Sequence, residues 1–363
     1  MRETAPRPQA RAVLRAAIAS LLLWGWARCW AANGDAHDIY IEDYRLHIAC
    51  SGRGSPAVIL DAGLGGSSLE WVFVVERLRP LTKVCTYDRA GYGGSDTGPL
   101  PRTSSRIVSE LHRLLERAGV SPPYVLAGHS FGGYNMQLFA RRYPALTAGL
   151  VLIDASHPEQ VERFEAPPLN MVTAPNSRAG IVQFREQPTA HTALPPRLRS
   201  KIAEQAQRWK TRRTLSAELL SFRDSAAEVR AAPPLAATPL VVLSRGRQDG
   251  ATTPRKQHFE RLWLELQSEL AASSTVAVHL LALGAGHQLH VEQPDVVAYG
   301  IAMLVTRARS GALAPTRYAG RATVLADVVW LRDDLSVAAP AVLTVAPALP
   351  CRGSCARRQD GAP

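Results

Sequence analysis

The sequence predicts an α/β fold, a mostly parallel sheet of eight strands with helices on both faces. Two observations carry this prediction. Short runs such as PAVILDAG (56–63) and YVLAGHS (124–130) are apolar almost throughout, as expected for strands that are buried on both faces. Segments with apolar residues at helical spacing lie between these runs, and such alternation produces a parallel sheet covered on both sides. The pattern begins at residue 38 and ends near residue 309.

The predicted elements follow each other in a regular order. DIYIEDY and RLHIAC, with a turn at 43–45, form an opening hairpin that we expect to be antiparallel at one edge. The six further strands are PAVILDAG (56–63), LTKVCTYDRAG (81–91), YVLAGHS (124–130), GLVLIDAS (149–156), PLVVLSRG (239–246) and VAVHLLALG (276–284). Helices are predicted within SSLEWVFVVERLRP, RTSSRIVSELHRLLERAGV and KQHFERLWLELQSELAA, over 131–143 and over 294–309.

The pattern divides the chain into five parts. A leader, 1–32, precedes the first part of the core, 38–156. A polar, Arg-rich segment of helical character, 157–236, interrupts the alternation, which resumes in the second part of the core, 237–310. The last segment, 311–363, is rich in Ala, Pro, Arg and Gly and has weak periodicity, so we expect a poorly ordered tail.

The leader has the features of a secretory signal peptide. Four arginines precede the apolar stretch AAIASLLLWGWA (16–27), which is short for a membrane span, and CWA (29–31) offers a small-residue cleavage site. We therefore expect an exported protein, periplasmic or secreted. The alternative is an uncleaved membrane anchor, in which case membrane association comes from this segment only.

The net charge of +11 and the sequence pI of about 9.8 raise the question of a nucleic-acid partner. Only four of the 42 basic residues are lysines, the arginines are scattered, and no basic run is interleaved with aromatic residues. The charge therefore reflects general composition rather than a phosphate-binding surface, and we expect no nucleic-acid partner.

The chemistry centres on GHSFGG, where Ser130 stands between Gly128 and Gly132 at the predicted junction of a strand and a helix. This is the G-x-S-x-G pattern in a strand–turn–helix context. The glycines allow a tight turn, and the serine hydroxyl projects from the end of the strand. Because a serine hydroxyl is a poor nucleophile until a base accepts its proton, the chain must also supply that base.

His287, in LGAGHQLHVEQPDVV, is the predicted base because it follows the last predicted strand in a loop that can reach the nucleophile. His290 is three residues further on, a spacing also found in metal sites, but no constellation of carboxylates and histidines supports a metal. We predict no metal and no cofactor, and a packing or surface role for His290.

An acid should orient the histidine and stabilise its imidazolium form. Two aspartates stand at predicted strand ends: Asp249 follows PLVVLSRG, and Asp154 ends GLVLIDAS. Both satisfy the chain order Ser, Asp, His. We favour Asp249 and keep Asp154 as the alternative.

Two backbone amides are predicted to bind the oxyanion that forms when the serine attacks a carbonyl group. The amide of Phe131, the residue after the serine, is one. The Gly-rich LDAGLGGSS offers the other, Leu64, because Gly63 and Gly65 let the backbone approach closely.

These motifs together resemble the α/β-hydrolase fold superfamily over about residues 38–309. The resemblance rests on LDAGLGGSS, YDRAGYGGSD, GHSFGG, LVLIDASHPE, PLVVLSRGRQD and GAGHQLHVEQPDVV, in the expected order. One departure is found after the third strand, where many members carry His-Gly and this chain carries Ala62 and Gly63.

The resemblance implies several roles. The segment 157–236 is expected to be a cap that shapes access to the pocket. The resemblance also assigns Asp88, Arg89, Ser95 and Asp96 to a structural turn. The strand order of the fold places Cys50 beside Cys85, so an exported chain can form a disulfide there, with two buried thiols as the alternative.

The nucleophile indicates the class of reaction. Dehalogenases and epoxide hydrolases of this fold use an aspartate at this position, whereas a serine supports acyl transfer to water. We therefore predict an esterase-like serine hydrolase acting on a small-molecule acyl substrate. The alternatives are carbon–carbon bond hydrolysis, acyl transfer or aminopeptidase activity by the same triad, and a noncatalytic binding protein.

Overall fold

The computed structural model describes residues 34–164, 171–173, 182–184, 192–247, 253–310 and 328–331. The predicted leader lies outside these segments, as do Asp249 and all but four residues of the predicted tail. The predictions of a signal peptide, a membrane anchor and a poorly ordered tail therefore stay predictions. Among the described helices, none is both long and apolar enough to cross a bilayer.

The main sheet has nine strands among the described residues, and the six at its centre run parallel. The strands of the molecule are β1 (Gly34–Tyr40), β2 (Arg45–Ser51), β3 (Ala57–Asp61), β4 (Val84–Tyr87), β5 (Tyr124–His129), β6 (Thr147–Ile153), β7 (Met171–Thr173), β8 (Val182–Phe184), β9 (Leu240–Arg245), β10 (Ala277–Ala282) and β11 (Val328–Leu331). Their order in the main sheet is β1-β2-β4-β3-β5-β6-β9-β10-β11. The opening hairpin lies antiparallel at one edge, as predicted.

The eight predicted strands are all present, and β11 adds a ninth at the opposite edge. This strand pairs antiparallel with β10 and comes from the segment predicted as a tail. The sequence analysis did not predict it because its pairing depends on the strand edge that β10 offers, and local periodicity does not report such an edge.

Helices cover both faces of the sheet. They are α1 (Val72–Leu78), α2 (Ser104–Arg117), α3 (Gly132–Arg142), α4 (Gln160–Arg163), α5 (Pro196–Gln207), α6 (Trp209–Leu220), α7 (Phe222–Ala231), α8 (Pro254–Ala272), α9 (Leu289–Glu292) and α10 (Pro294–Ser310). On one face, α1 and α10 pack against Val58 and Val125, and on the other α2 and α3 pack against Ile59 and Leu126. Because neighbouring strand residues point to opposite faces, a continuously apolar strand supplies both cores.

The inserted segment, 157–236, adds α4 to α7 and a two-stranded antiparallel sheet of β7 and β8, which was not predicted. It is fixed to the core at the start of α2. The Ser104 amide donates to Ser225 Oγ at 3.0 Å, and the Ser105 amide donates to Glu228 Oε2 at 2.7 Å. The first amides of a helix lack partners within the helix, so α7 satisfies donors that α2 leaves open.

A disulfide joins Cys50 of β2 to Cys85 of β4, the pairing that the family resemblance implied. The two residues are register partners on adjacent antiparallel strands, with Cα atoms 4.0 Å apart. Disulfides persist mainly in oxidising compartments, and the bridge therefore agrees with an exported protein.

Candidate active site

Ser130 stands at the sharp turn between β5 and α3. Its φ of 51° lies in the left-handed region that residues other than glycine seldom adopt. The flanking glycines permit this turn. A Cβ at Gly128 would lie 2.4 Å from the Gly132 carbonyl oxygen, and one at Gly132 would lie 2.5 Å from the Asp61 carbonyl oxygen. Glycine therefore occupies the two places where chain segments approach too closely for any side chain.

Backbone hydrogen bonds hold the turn in this strained conformation. The Ser130 amide donates to the Ile153 carbonyl oxygen at 3.2 Å, which ties the end of β5 to the end of β6. The amides of Gly133 and Ser156 donate to the Ser130 carbonyl oxygen at 2.9 and 3.0 Å. The surrounding elements thus determine the conformation of Ser130, as a strained residue requires.

His287 lies in the loop after β10, and its Nδ1 atom is 2.6 Å from Oδ2 of Asp154. The Asp154 side chain is fully buried, whereas that of His287 is 40% exposed. Asp154 directly follows β6 and, like Ser130, has a positive φ, 42°. A carboxylate at Nδ1 orients the imidazole and leaves Nε2 as the atom that accepts a proton, which is the arrangement of a general base.

Three further hydrogen bonds fix the Asp154 carboxylate. Arg245 donates from Nη1 at 2.6 Å and from its backbone amide at 3.2 Å, and the Trp263 indole donates from Nε1 at 2.8 Å. Burial by itself raises the pKa of Asp154. The charge of Arg245 and the hydrogen bond to His287 lower it by more, so the net pKa lies below its ordinary value. Asp154 therefore remains a carboxylate at neutral pH.

Of the two acid candidates, the structure describes one. Asp154, the alternative in the sequence analysis, is hydrogen-bonded to His287. Asp249, the residue that the sequence analysis favoured, lies outside the described residues. Chain order could not separate them, because both follow predicted strands whose ends lie at the same edge of the sheet.

Ser130 and His287 line one cavity of about 300 Å³. Its wall combines apolar and polar side chains: Leu64, Ser130, Ser156, Gln160, Phe222, Arg245, Arg247, Phe259, Glu260, Trp263, Gly286 and His287. Gln160 and Phe222 belong to the inserted segment. That segment therefore forms part of the cavity wall that also contains Ser130.

Both predicted oxyanion donors lie beside Ser130. Leu64 lines the cavity, and Phe131 follows Ser130 at the start of α3. Gly63 abuts the serine, since a Cβ there would lie 3.2 Å from Ser130 Cβ. Within the described part of the chain, the amides of Leu64 and Phe131 donate to no protein acceptor. Amides at these positions are suited to bind a negatively charged oxygen that forms next to Ser130.

The sequence profile of the Alpha/beta hydrolase family matches residues 58–298, a stretch that contains Ser130, Asp154 and His287. The chain belongs to this family. The fold class and the family resemblance drawn from the motifs are therefore both confirmed.

Proteins that are similar to this chain in sequence or fold carry different names. The uncharacterized Bacillus subtilis (strain 168) protein YqjL is 25% identical over 250 residues, 69% of this chain and 83% of that protein. A thermophilic esterase from Thermogutta terrifontis has a TM-score of 0.52 at 21% identity, covering 76% of this chain and 99% of the esterase. The epoxide hydrolase CorEH has a TM-score of 0.53 at 18% identity, covering 73% and 96%.

At sequence identities of 18–21% the solved structures show that the fold is shared, and they do not identify the reaction. The chain also spans only 18%, 28% and 43% of the lengths of three other curated relatives. The reaction of this chain therefore has to be inferred from its own site.

Two buried histidines lie next to His287. His129 donates from Nε2 to the His287 carbonyl oxygen at 2.8 Å and so fixes the loop that carries this candidate base. Burial lowers the pKa of His129 well below its ordinary value, and the neighbouring His290 and His287 lower it further, so the ring stays neutral. The His290 ring packs against His129 and Trp71, with centroids 4.4 and 4.6 Å apart.

Three residues that hold the candidate catalytic groups were not predicted from the sequence. Arg245 ends the apolar run PLVVLSRG, and a charged residue there is a signal that could have pointed to a buried partner carboxylate. Trp263 stands in a predicted helix, and His129 is the variable position of the serine motif. No local pattern distinguishes either of them from an ordinary core residue.

Proposed function

We propose that this hydrolase cleaves an ester or related acyl bond of a small molecule, with Ser130 as nucleophile, His287 as base and Asp154 as acid. One observation carries the proposal. Ser130, in its strained turn, shares a cavity with His287, whose Nδ1 atom is 2.6 Å from Asp154. A serine rather than an aspartate as nucleophile favours acyl transfer over epoxide opening.

In the first half of the reaction, Ser130 Oγ attacks the substrate carbonyl carbon while Nε2 of His287 accepts the hydroxyl proton. The carbonyl oxygen becomes an oxyanion, which the amides of Leu64 and Phe131 bind. Asp154 remains ionised and stabilises the imidazolium. His287 then passes its proton to the leaving alcohol, and the acyl group stays on Ser130.

In the second half, His287 accepts a proton from a water molecule, whose oxygen attacks the acyl carbon. The same two amides bind the second oxyanion. The bond to Ser130 Oγ breaks, His287 returns the proton to that oxygen, and the carboxylic acid leaves. Neither half requires a cofactor.

The small volume of the cavity limits the size of the substrate. Its volume of about 300 Å³ is at the low end of ligand sites, which span roughly 300–1,000 Å³. Phe222, Phe259 and Trp263 contribute aromatic surface to the wall. We therefore expect compact, largely apolar esters with short acyl chains to be preferred.

The place of action is also part of the proposal. The disulfide and the predicted signal peptide support export to the periplasm or medium. Membrane association, if the leader is retained, is expected through the leader alone.

Covalent labelling by a fluorophosphonate probe tests this function. We expect wild-type protein to be labelled at Ser130 and to hydrolyse p-nitrophenyl acetate and butyrate faster than long-chain esters. Ser130→Ala should fold, lose labelling and lose roughly 10³-fold or more in kcat, because the nucleophile is absent.

Ser156→Ala is the matched control, because Ser156 is a second serine in the wall of the same cavity. It should keep both labelling and hydrolysis. A folded wild-type protein that is not labelled and that hydrolyses no ester of the series would contradict the proposal.

A further inference from the structure

Arg89 uses all five of its N–H groups, and it thereby bridges two parts of the chain. Nη1 donates to Asp61 Oδ1 and to the Ala62 carbonyl oxygen, both at 2.7 Å, and Nη2 donates to the Gly63 carbonyl oxygen at 2.8 Å. Nε and Nη2 donate to the two carboxylate oxygens of Glu218 at 2.8 and 3.1 Å. One guanidinium therefore connects the loop after β3 to helix α6 of the inserted segment.

This bridge is buried and charged. The side chains of Arg89, Asp61 and Glu218 are exposed by no more than 1%. Burial alone lowers the pKa of Arg89, but the charges of Glu218 and Asp61 raise it by more, so the pKa lies well above its ordinary value. The planar fork of a guanidinium and its charge-assisted hydrogen bonds hold these partners in fixed directions.

Tyr92 is a second partner of Glu218. Its hydroxyl donates to Glu218 Oε2 at 2.7 Å, and its ring centroid lies 5.1 Å from Cζ of Arg89. Glu218 thus holds two side chains, Arg89 and Tyr92, and Arg89 donates to the backbone carbonyl oxygens of Ala62 and Gly63.

The bond from Arg89 to Gly63 bears directly on an oxyanion donor. The Gly63 carbonyl and the Leu64 amide belong to one planar trans peptide group, in which C=O and N–H point in opposite directions. Holding the carbonyl against Arg89 therefore turns the Leu64 amide away from Arg89. Leu64 lines the cavity with Ser130, and Gly63 abuts that serine, so this amide lies close to where the oxyanion forms.

We propose that Glu218 and Arg89 are positioning residues for the oxyanion site: Glu218 fixes Arg89, and Arg89 fixes the direction of the Leu64 amide. The inference rests on the proposed serine hydrolase function. It adds that the inserted segment takes part in catalysis through Glu218, besides forming part of the pocket wall. The turn that carries Arg89, expected from the resemblance to be structural, then also affects the rate.

Arg102 and Glu110 form a second buried pair that serves as a matched control. Arg102 donates from Nη1 and Nη2 to the two Glu110 carboxylate oxygens at 2.5 and 2.7 Å, and Tyr44 donates to Glu110 at 2.8 Å. The side chains of Arg102 and Glu110 are exposed by 1% and 5%. This pair repeats the arrangement of Arg89, Glu218 and Tyr92, but its described hydrogen bonds do not reach the loop after β3.

The test compares Glu218→Gln with Glu110→Gln in the full chain. The readouts are thermal unfolding, kcat and KM for a p-nitrophenyl ester, and inhibition by a trifluoromethyl ketone, which forms an oxyanion adduct with a serine. Both variants lose a buried ion pair, so both should unfold at a lower temperature. Only Glu218→Gln should lower kcat, by roughly 10- to 100-fold, and weaken ketone inhibition similarly, with KM changed less than about twofold.

Equal kcat values and equal ketone inhibition in the two variants would overturn the inference. Arg89→Lys, which keeps the charge but lacks the fork, should lose about as much kcat as Glu218→Gln. The double variant should lose little more than the worse single one, because both residues act through one amide. Full additivity of the two losses would contradict that shared route.

If Glu218→Gln does not fold, Tyr92→Phe takes its place in the test. The Tyr92→Phe variant removes one hydrogen bond to Glu218 and keeps the aromatic ring. Its kcat should fall roughly three- to tenfold, and an unchanged kcat would overturn the inference.

The wild-type protein distinguishes the two ways in which the test can fail. If wild-type protein hydrolyses no ester, the proposed function fails and the inference fails with it. If only the inference fails, wild-type hydrolysis remains intact.

Discussion

The two sides of the serine turn are built alike. On one side of β5 lies β3, which leads into the loop with Leu64, and beyond it β4, which is followed by Arg89. On the other side lies β6, which leads to Asp154, and beyond it β9, which ends in Arg245. On each side the inner strand leads to a candidate catalytic group, and an arginine at or just after the end of the outer strand contacts that group or the backbone next to it.

The two arginines nevertheless hold different kinds of group. Arg89 donates to backbone carbonyl oxygens as well as to carboxylates, so it determines the direction of amides. Arg245 binds the carboxylates of Asp154 and Glu260, so its main effect is to stabilise the charged form of Asp154. The oxyanion side of the site therefore depends on backbone geometry and the acid side on electrostatics, and the two sides should respond to different perturbations.

The largest effect is expected from the acid itself. Asp154→Asn keeps the shape of the side chain but removes the charge that orients His287 and stabilises its imidazolium. We expect kcat to fall by roughly 10³- to 10⁴-fold, with folding retained. Steady-state kinetics on a p-nitrophenyl ester measure this loss.

Asp249→Asn is the matched comparison, because Asp249 is the acid that chain order alone favoured. We expect its kcat to stay within about threefold of wild type. If Asp249→Asn instead gives the larger loss of kcat, the acid is Asp249, which follows β9, and not Asp154, which follows β6.

A smaller effect, with a pH dependence, is expected from Arg245→Met. Because the pKa of Asp154 is lowered in the folded protein, its carboxylate stabilises the fold above its ordinary pKa, and this contribution is lost as the pH falls toward the folded value. Without Arg245 the largest influence that lowers the pKa of Asp154 is absent, so this pKa rises. The variant should lose roughly 3 kcal/mol of unfolding free energy at pH 7 and less at pH 4, because its Asp154 is protonated to a greater extent there.

Urea unfolding at the two pH values measures this difference. Arg245→Lys is the control, since it keeps the positive charge and should retain more of the wild-type pH dependence. A deficit of the same size at both pH values would show that Arg245 acts by packing rather than by charge.

The smallest effect on catalysis is expected from the disulfide, which joins β2 to β4. Replacing Cys50 and Cys85 by serine together releases a crosslink with a sequence separation of 35 residues. Unfolding free energy should fall by up to roughly 4 kcal/mol, while kcat at 25 °C stays within about twofold. A large loss of kcat in the folded double variant would mean that general stability, rather than local contacts, controls the site.

The sequence predicted those parts of the molecule that local patterns encode. Apolar runs predicted six of the eight strands, and two short segments joined by a turn predicted the opening hairpin. Gly128 and Gly132 predicted the turn at Ser130, because a close backbone approach there requires glycine. His287 followed from its place after the last predicted strand. Each of these signals is contained within a few residues of the feature that it predicts.

Contacts between residues that are far apart in the chain have no such local signal. The contact between Asp154 and His287 joins residues 133 positions apart, and periodicity contains no information on which loops meet. The same holds for Arg89, whose partner Glu218 is 129 positions away in the inserted segment. The pairing of β11 with β10 is a third case, because it depends on an edge formed elsewhere in the chain.

The left-handed backbone at Ser130 and Asp154 has a consequence for how such proteins change over time. Holding a residue other than glycine in this conformation costs roughly 1–2 kcal/mol. Glycine at Ser130 would relieve that cost and remove the proposed nucleophile together. Glycine at Asp154 would relieve the same cost but remove one of the two carboxylates that pair with the Arg245 side chain, and breaking such a pair costs more than the strain. Replacement of Ser130 is therefore the route to an inert pocket that costs the fold least.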